Sequence, residues 1–174
     1  MLYSLPPAAG YQLAGLKTLL LAPWSGAALF GYATPDCSHI VGFSGLAGWQ
    51  QLPVDAPGCE FGQGYAATKN GQLYSQTVAV SLPGLSAAQR SAVQALIAAG
   101  PVVALCQDYA GQWWMYGQTA GLRLLAVTGK SGAVGGEAGL SLPLTGTQRE
   151  AARTVAQARV NLLFNSTTAF TYPA

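Results

Sequence analysis

Short apolar runs cut by glycine and proline set the rhythm of this chain, and that rhythm predicts strands far more often than helices. The apolar stretches at 15–23, 27–32 and 39–43 read as three successive strands. Residues 45–57 form a loop rich in Gly and Pro, low in regular structure. The runs 59–68 and 72–82 flank Lys69-Asn70-Gly71. An Asn-Gly pair supplies the positive φ angles of a tight turn, so the two runs read as a hairpin. The second arm alternates: Leu73, Ser75, Thr77, Ala79 and Ser81 share one face, while Tyr74, Gln76, Val78, Val80 and Leu82 share the other.

One helix interrupts the pattern. Ser86 and Gln89 match a capping box, Val93, Leu96 and Ile97 recur at helical spacing, and Gly100-Pro101 ends the segment. This predicts an amphipathic helix over about 86–98, laying its apolar stripe on a sheet. After it, 102–106 reads as a buried strand, 112–116 as a second and 122–128 as a third, a meander with Trp113, Trp114, Met115 and Tyr116 at its centre. Residues 129–136 form a glycine-rich loop, and 139–145 alternates again through Leu140, Leu142 and Leu144. A short helix is expected over 148–157 and an extended segment over 159–170. Neither an internal repeat nor a linker is visible, so 1–174 reads as a single domain. The fold class is mainly β (α+β): a β-sandwich or small barrel packed by one amphipathic helix, with extended loops and a C-terminal arm.

Composition adds one unusual constraint. Only 8 Lys+Arg and 6 Asp+Glu occur in 174 residues, while 51% are hydrophobic. Ordinary soluble domains carry roughly 25% charged residues, so this surface is either polar through Ser, Thr, Gln and Gly or covered by copies of the same chain. The net charge of +2 is too small, and its cations too scattered, for a phosphate-binding face. The apolar run 18–33 is broken by Pro23, Trp24, Ser25 and Gly26, which argues against a signal peptide or a membrane span.

The residues with chemistry in them do not assemble into a motif. Cys37, Cys59 and Cys106 are too few for a disulfide framework, and they read as reduced, buried thiols, with a Cys37–Cys59 bridge the alternative in an oxidising compartment. Gly129-Lys130-Ser131 lacks the upstream glycine and following helix of a phosphate loop. His39 is the one histidine; Cys106 or Ser44 as nucleophile and Asp36 or Asp108 as orienting acid would complete a triad, but no Gly-x-Ser-x-Gly elbow is present. Cys37-Ser38-His39 lacks the second ligand pair zinc needs. Among Asp36, Asp55, Glu60, Asp108, Glu137 and Glu150, spacing selects no catalytic pair, and Asp108 sits where a β-turn wants Asp. Strand alternation puts Trp113 and Met115 on one face, Trp114 and Tyr116 on the other. One pair belongs to the core; the outer pair, Trp114 and Tyr116, is a candidate contact surface or sugar-stacking platform. Neither catalysis nor a cofactor nor a metal is expected.

Residues 102–117 (VVALCQDYAGQWWMYG) resemble tail-associated structural proteins of bacteriophages, in which a buried strand, an acidic turn ending in Gly and a short aromatic strand follow a helix. The glycine-rich loop and alternating strand over 131–146 are similar too, and the likeness covers about 70 residues, mainly 85–146. It implies a compact β-sandwich or barrel assembling into rings, with a continuous inner sheet wall and loops reaching the next ring. The partners implied are copies of the chain, other tail proteins, and DNA passing through a lumen without sequence-specific binding. The place implied is the virion tail, assembled in the host cytoplasm. Tube lumens are usually acidic or neutral and this chain is slightly basic, so a terminator, connector or baseplate ring stands beside the tube. Candidate subunit contacts are Trp49, Trp114, Tyr116, Lys130, Phe164, Phe170 and Tyr172, with 45–57, 129–136 and 161–174 as docking arms. An extracellular carbohydrate-binding or adhesin module is the alternative.

Overall fold

The computed structural model describes residues 15–34, 39–52, 54, 59–69, 71–83, 87–130, 139–164 and 168–169. Two strands form its spine. β1 (Leu16–Pro23) and β7 (Val102–Asp108) pair antiparallel, and both are almost wholly apolar. Such strands are buried on both faces, and here they are. Leu19 and Leu21 with Ala104 and Cys106 join one core, while Leu20 and Ala22 with Val103 and Leu105 join a second on the opposite side.

Around this pair grows an eight-stranded sheet in the order β13-β4-β1-β7-β8-β12-β3-β2. Its other members are β2 (Leu29–Tyr32), β3 (His39–Ser44), β4 (Gln50–Leu52), β8 (Trp113–Tyr116), β12 (Arg153–Val155) and β13 (Thr168–Ala169). A second sheet has the order β10-β11-β6-β5, with β9 also on β11. Its strands are β5 (Glu60–Thr68), β6 (Gly71–Pro83), β9 (Arg123–Leu124), β10 (Thr128–Lys130) and β11 (Gly139–Gln148). The two sheets face each other across the first core, where Val78, Val80 and Leu82 of β6 and Leu140, Leu142 and Leu144 of β11 meet β1 and β7. This is the sandwich form of the expectation. The second core is closed by α2 (Gln157–Phe164), through Val160 and Leu163, and by Trp49. At sites this enclosed, truncating a leucine such as Leu105 to alanine costs about 2–5 kcal/mol.

The predicted alternation of β6 holds, with Gln76, Val78, Val80 and Leu82 inward. The expected helix is α1 (Ala87–Ala99). It buries Val93 and part-buries Leu96 at the rim of the first core, leaving Ile97 45% exposed, so it caps the sandwich instead of covering a sheet.

Three expectations are corrected. The helix placed over 148–157 is instead the end of β11, then β12, and the helix α2 starts only at Gln157 and runs into the stretch 159–170 expected to be extended. Arg149 N–H donates to Thr119 Oγ1 and Ala152 N–H to Gln63 Oε1, and these tertiary bonds hold the segment open where its propensity favours a helix. The 102–128 meander stops after two strands: β8 takes β12 as its outer neighbour, and the third run crosses to the other sheet as β9 and β10. The crossing is made by Leu122, which exchanges backbone hydrogen bonds with Val102 at 2.7 and 2.8 Å before β9 joins β11. Finally, residues 45–57 are not all loop, since β4 pairs with β1.

Candidate interaction surface

Three glutamines pin the ends of the sandwich. Gln148 is 1% exposed, and its Oε1 accepts from Thr119 N–H (3.0 Å), Thr119 Oγ1 (2.8 Å) and Ala120 N–H (3.0 Å), while its Nε2 donates to the Gly121 carbonyl (2.8 Å). Gln76 accepts from Gly117 N–H at 2.8 Å and donates to the Glu150 carbonyl at 3.2 Å. Gln63 Oε1 accepts from Ala152 N–H at 2.8 Å. Side-chain amides from the small sheet thus satisfy backbone groups of the 117–121 and 149–152 connections, which burial would otherwise penalise. The 117–121 loop is possible only with glycine at its ends. Gly121 has φ +71°, and a Cβ there would lie 2.5 Å from Pro101.

Beyond this clamp the β5–β6 hairpin continues alone. β11 ends opposite Tyr74, whereas β5 and β6 pair onward to Thr68 and Gly71. Gly71, expected within the turn, already pairs with Thr68 and takes φ +114°, while Asn70 lies outside the described residues. Tyr65 stands 59% exposed on this ribbon, its ring centroid 5.5 Å from that of Tyr74.

β5 is also the last strand of its sheet among the described residues. It pairs with β6 over nine positions with no register shift. Soluble proteins usually blunt such an edge with proline, lysine, a bulge or shortness, and β5 has none of these. Its one charge is Glu60, at the root. Thr68 and Gly71 face each other across a two-residue turn, which makes them a hydrogen-bonded pair. Alternation then turns the backbone groups of Phe61, Gln63, Tyr65 and Ala67 toward the open side. The outer face beside it carries Gly62, Gly64, Ala66, Ser75, Thr77, Ser141 and Thr145, small or hydroxylated positions without charge.

On the other side of the same sheet lies an apolar groove of about 420 Å³. It runs between α1 (Arg90, Val93, Gln94, Ile97) and the edge segment Leu124, Leu125, Ala126 and Val127, with Leu140 as floor. Leu125 is 74% and Val127 39% exposed.

The residues singled out from sequence fare unevenly as contacts. Trp49 and Tyr116 are each 4% exposed and belong to the two cores. Trp114 packs partly buried against the inter-sheet core, its Nε1 donating to Asp108 Oδ2 at 3.2 Å. Both faces of β8 are thus interior, because the sheet carrying it is covered on each side. Phe164 is 42% exposed and meets Trp113 edge-on. Lys130 ends β10, its Cα opposite Gly139. Phe170 and Tyr172 lie outside the described residues, as do Cys37 and most of the 129–136 loop. Of the arm 161–174, the first residues belong to α2, and Thr168–Ala169 pair parallel with β4. Neither the long edge of β5 nor the groove was singled out. The signal available was 60–68 itself, a run of small and aromatic residues with one charge and no proline.

The groups with reactive potential have structural employment. Asp108 holds its turn as expected, accepting Gln112 N–H on Oδ1 at 2.8 Å, with its carbonyl taking Gly111 N–H at 3.0 Å. His39 borders a polar hollow of about 320 Å³ with Gln112, Thr154 and Gln157, and among the described residues no cysteine, serine or carboxylate lines it. Cys106 is fully buried, and desolvation pushes its thiol far above its ordinary value, away from a nucleophilic thiolate. Among the described residues, no cluster of three His, Cys, Asp or Glu could hold a metal ion. No helix among them is long and apolar enough to cross a membrane. Comparisons with protein-family models, with curated proteins and with solved structures find no match.

Proposed function

We propose that this protein is a non-enzymatic structural subunit that assembles with copies of itself through its sheet edges, in a ring or tube of a bacteriophage tail. The observation that carries the reading is the β5 edge, nine residues long and, among the described residues, without a neighbouring strand on its open side. A monomer at high concentration gains nothing from such an edge and risks indiscriminate pairing. A closed ring satisfies it with a neighbour and so removes the hazard. The scarcity of charge agrees, since obligate interfaces are more apolar than free surface and commonly bury more than about 2,000 Å². The tail itself, as the place of assembly, rests on the resemblance of residues 85–146. Other tail proteins would be the further partners, and DNA would pass the lumen without base-specific contacts. A sugar-binding module is less well supported, because Trp114 and Tyr116, its stacking platform, point into the sandwich.

Electron microscopy of negatively stained protein, with light scattering, tests the reading. Rings or tubes of constant diameter are expected. Ala67→Pro removes an open-side N–H while sparing the β6 ladder, so it should yield a folded, smaller species. A wild-type chain that stays a dispersed monomer at high concentration overturns the proposal.

A further inference from the structure

The two exposed features of the small sheet lie on its opposite sides, which raises the question of whether they meet in neighbouring copies. We infer that the β5 edge of one copy pairs with the edge segment 123–130 of the next, Tyr65 covering the apolar groove beneath α1. The inference rests on the self-assembly reading and specifies its junction. A contact between two different patches of the same chain is heterologous, and repeats until a ring closes or a filament grows.

Strand directions favour it. β10 and β9 run antiparallel to β11, which runs antiparallel to β6, which runs antiparallel to β5. The 123–130 edge of one copy is therefore antiparallel to β5 of a neighbour in the same orientation, and the sheet continues without reversal.

Registers favour it too. Through β11, residues 123–130 lie abreast of β6 positions 77–83, whereas β5 lies abreast of 71–79; the centres, 80 and 75, are five apart. Setting Glu60, abreast of Ala79, opposite Lys130, abreast of Pro83, uses four of these positions and staggers each copy by about 13 Å across four strands, a width of about 19 Å. That stagger corresponds to a strand tilt of about 35°, at the lower end of the 35–45° at which sheets close into barrels.

Chemistry completes the match. Setting Glu60 opposite Lys130 makes an opposite-charge pair, and, because 124–130 spans five register positions on β11, it brings Tyr65 against Leu124 and the adjoining Leu125, an aromatic–aliphatic contact. Glu60 is the only charge on β5, and Leu125 is the most exposed large hydrophobic residue described. Tyr65 side and groove also correspond: Tyr65 shares the inward face of its strand with Phe61, and the groove floor, Leu140, is inward on β11.

The test uses purified full-length protein. Leu125→Asp should raise the concentration at which half the protein is assembled at least about tenfold while leaving the melting temperature of the dissociated chain unchanged. Glu60→Lys should weaken assembly, and the double variant Glu60→Lys/Lys130→Glu should restore it. Mixing Tyr65→Cys protein with Leu125→Cys protein under oxidant should yield a cross-linked dimer absent from either alone. Rings that persist undiminished in Leu125→Asp and in Glu60→Lys, without that cross-link, overturn this junction and leave self-assembly standing. A wild-type chain that never assembles removes both.

Discussion

Replacing Gln148 by methionine keeps nearly the same length and volume but removes the amide, so it isolates what the clamp contributes. Four hydrogen bonds of 2.8–3.0 Å are lost at once. Each is worth about 0.5–1.5 kcal/mol net, and a donor or acceptor left buried without a partner costs about 1–3 kcal/mol. Thr119 and Ala120 are exposed, so water can take over their N–H groups; Gly121 is buried, and its carbonyl is stranded. The balance is a loss of about 3 kcal/mol, beyond the 1.5 kcal/mol or less of a volume-conserving apolar exchange. For a chain of this size that lowers the melting temperature by about 6–12 °C. Calorimetry and urea titration of the dissociated chain measure it, with Thr145→Val on the outer face as control. A loss under about 1 kcal/mol would show that the amide merely fills space, and would sink the clamp as an account of how the 117–121 connection is held.

Backbone geometry predicts a contrast between two glycines at positive φ. Gly121→Ala meets Pro101 and should cost well over 2 kcal/mol, whereas Gly111→Ala, at φ +86° in open space, should cost about 1 kcal/mol in the same urea titration. Alkaline stability follows from Cys106 and Tyr116, both raised by burial, Tyr116 further by the neighbouring Cys106. Their ordinary values are 9.0 and 10.0. The folded chain keeps protons the unfolded chain releases, so stability is flat below about pH 9 and falls above it, by up to about 1.4 kcal/mol per pH unit per group. Melting temperatures from pH 7 to 11 should show this fall, reduced in Cys106→Ala; a rise across that range would contradict the burial.

Local signals carried much of the fold. The two runs flanking Lys69-Asn70-Gly71, the alternation of β6 and the helical spacing of Val93 and Leu96 in α1 each specify an element through neighbours in the chain. Failures came where distant partners decide. Residues 148–157 look helical alone, yet Gln63 and Thr119, far away in sequence, draw their N–H groups into tertiary bonds. The aromatic block of β8 reads as two-faced, and period-two alternation is right about which residues share a face. It cannot say that both sides of the sheet are covered, by the small sheet over Trp114 and Tyr116 and by α2 and Trp49 over Trp113 and Met115, which is why Tyr116 and Trp49 are interior where the pattern leaves them outside. The open edge of β5 was illegible for the same reason: whether a strand is central or terminal depends on the order of strands, which pattern does not encode.

β6 runs thirteen residues from the projecting turn to the foot of α1, with ten register partners on β11 and nine on β5. A pull between the hairpin and the helix is directed along that strand, at right angles to its inter-strand bonds. They are loaded together in shear, and none can be peeled away in turn. Whatever tension reaches one end of the molecule arrives at the other with little stretch, giving a fibre-like stiffness within a small subunit.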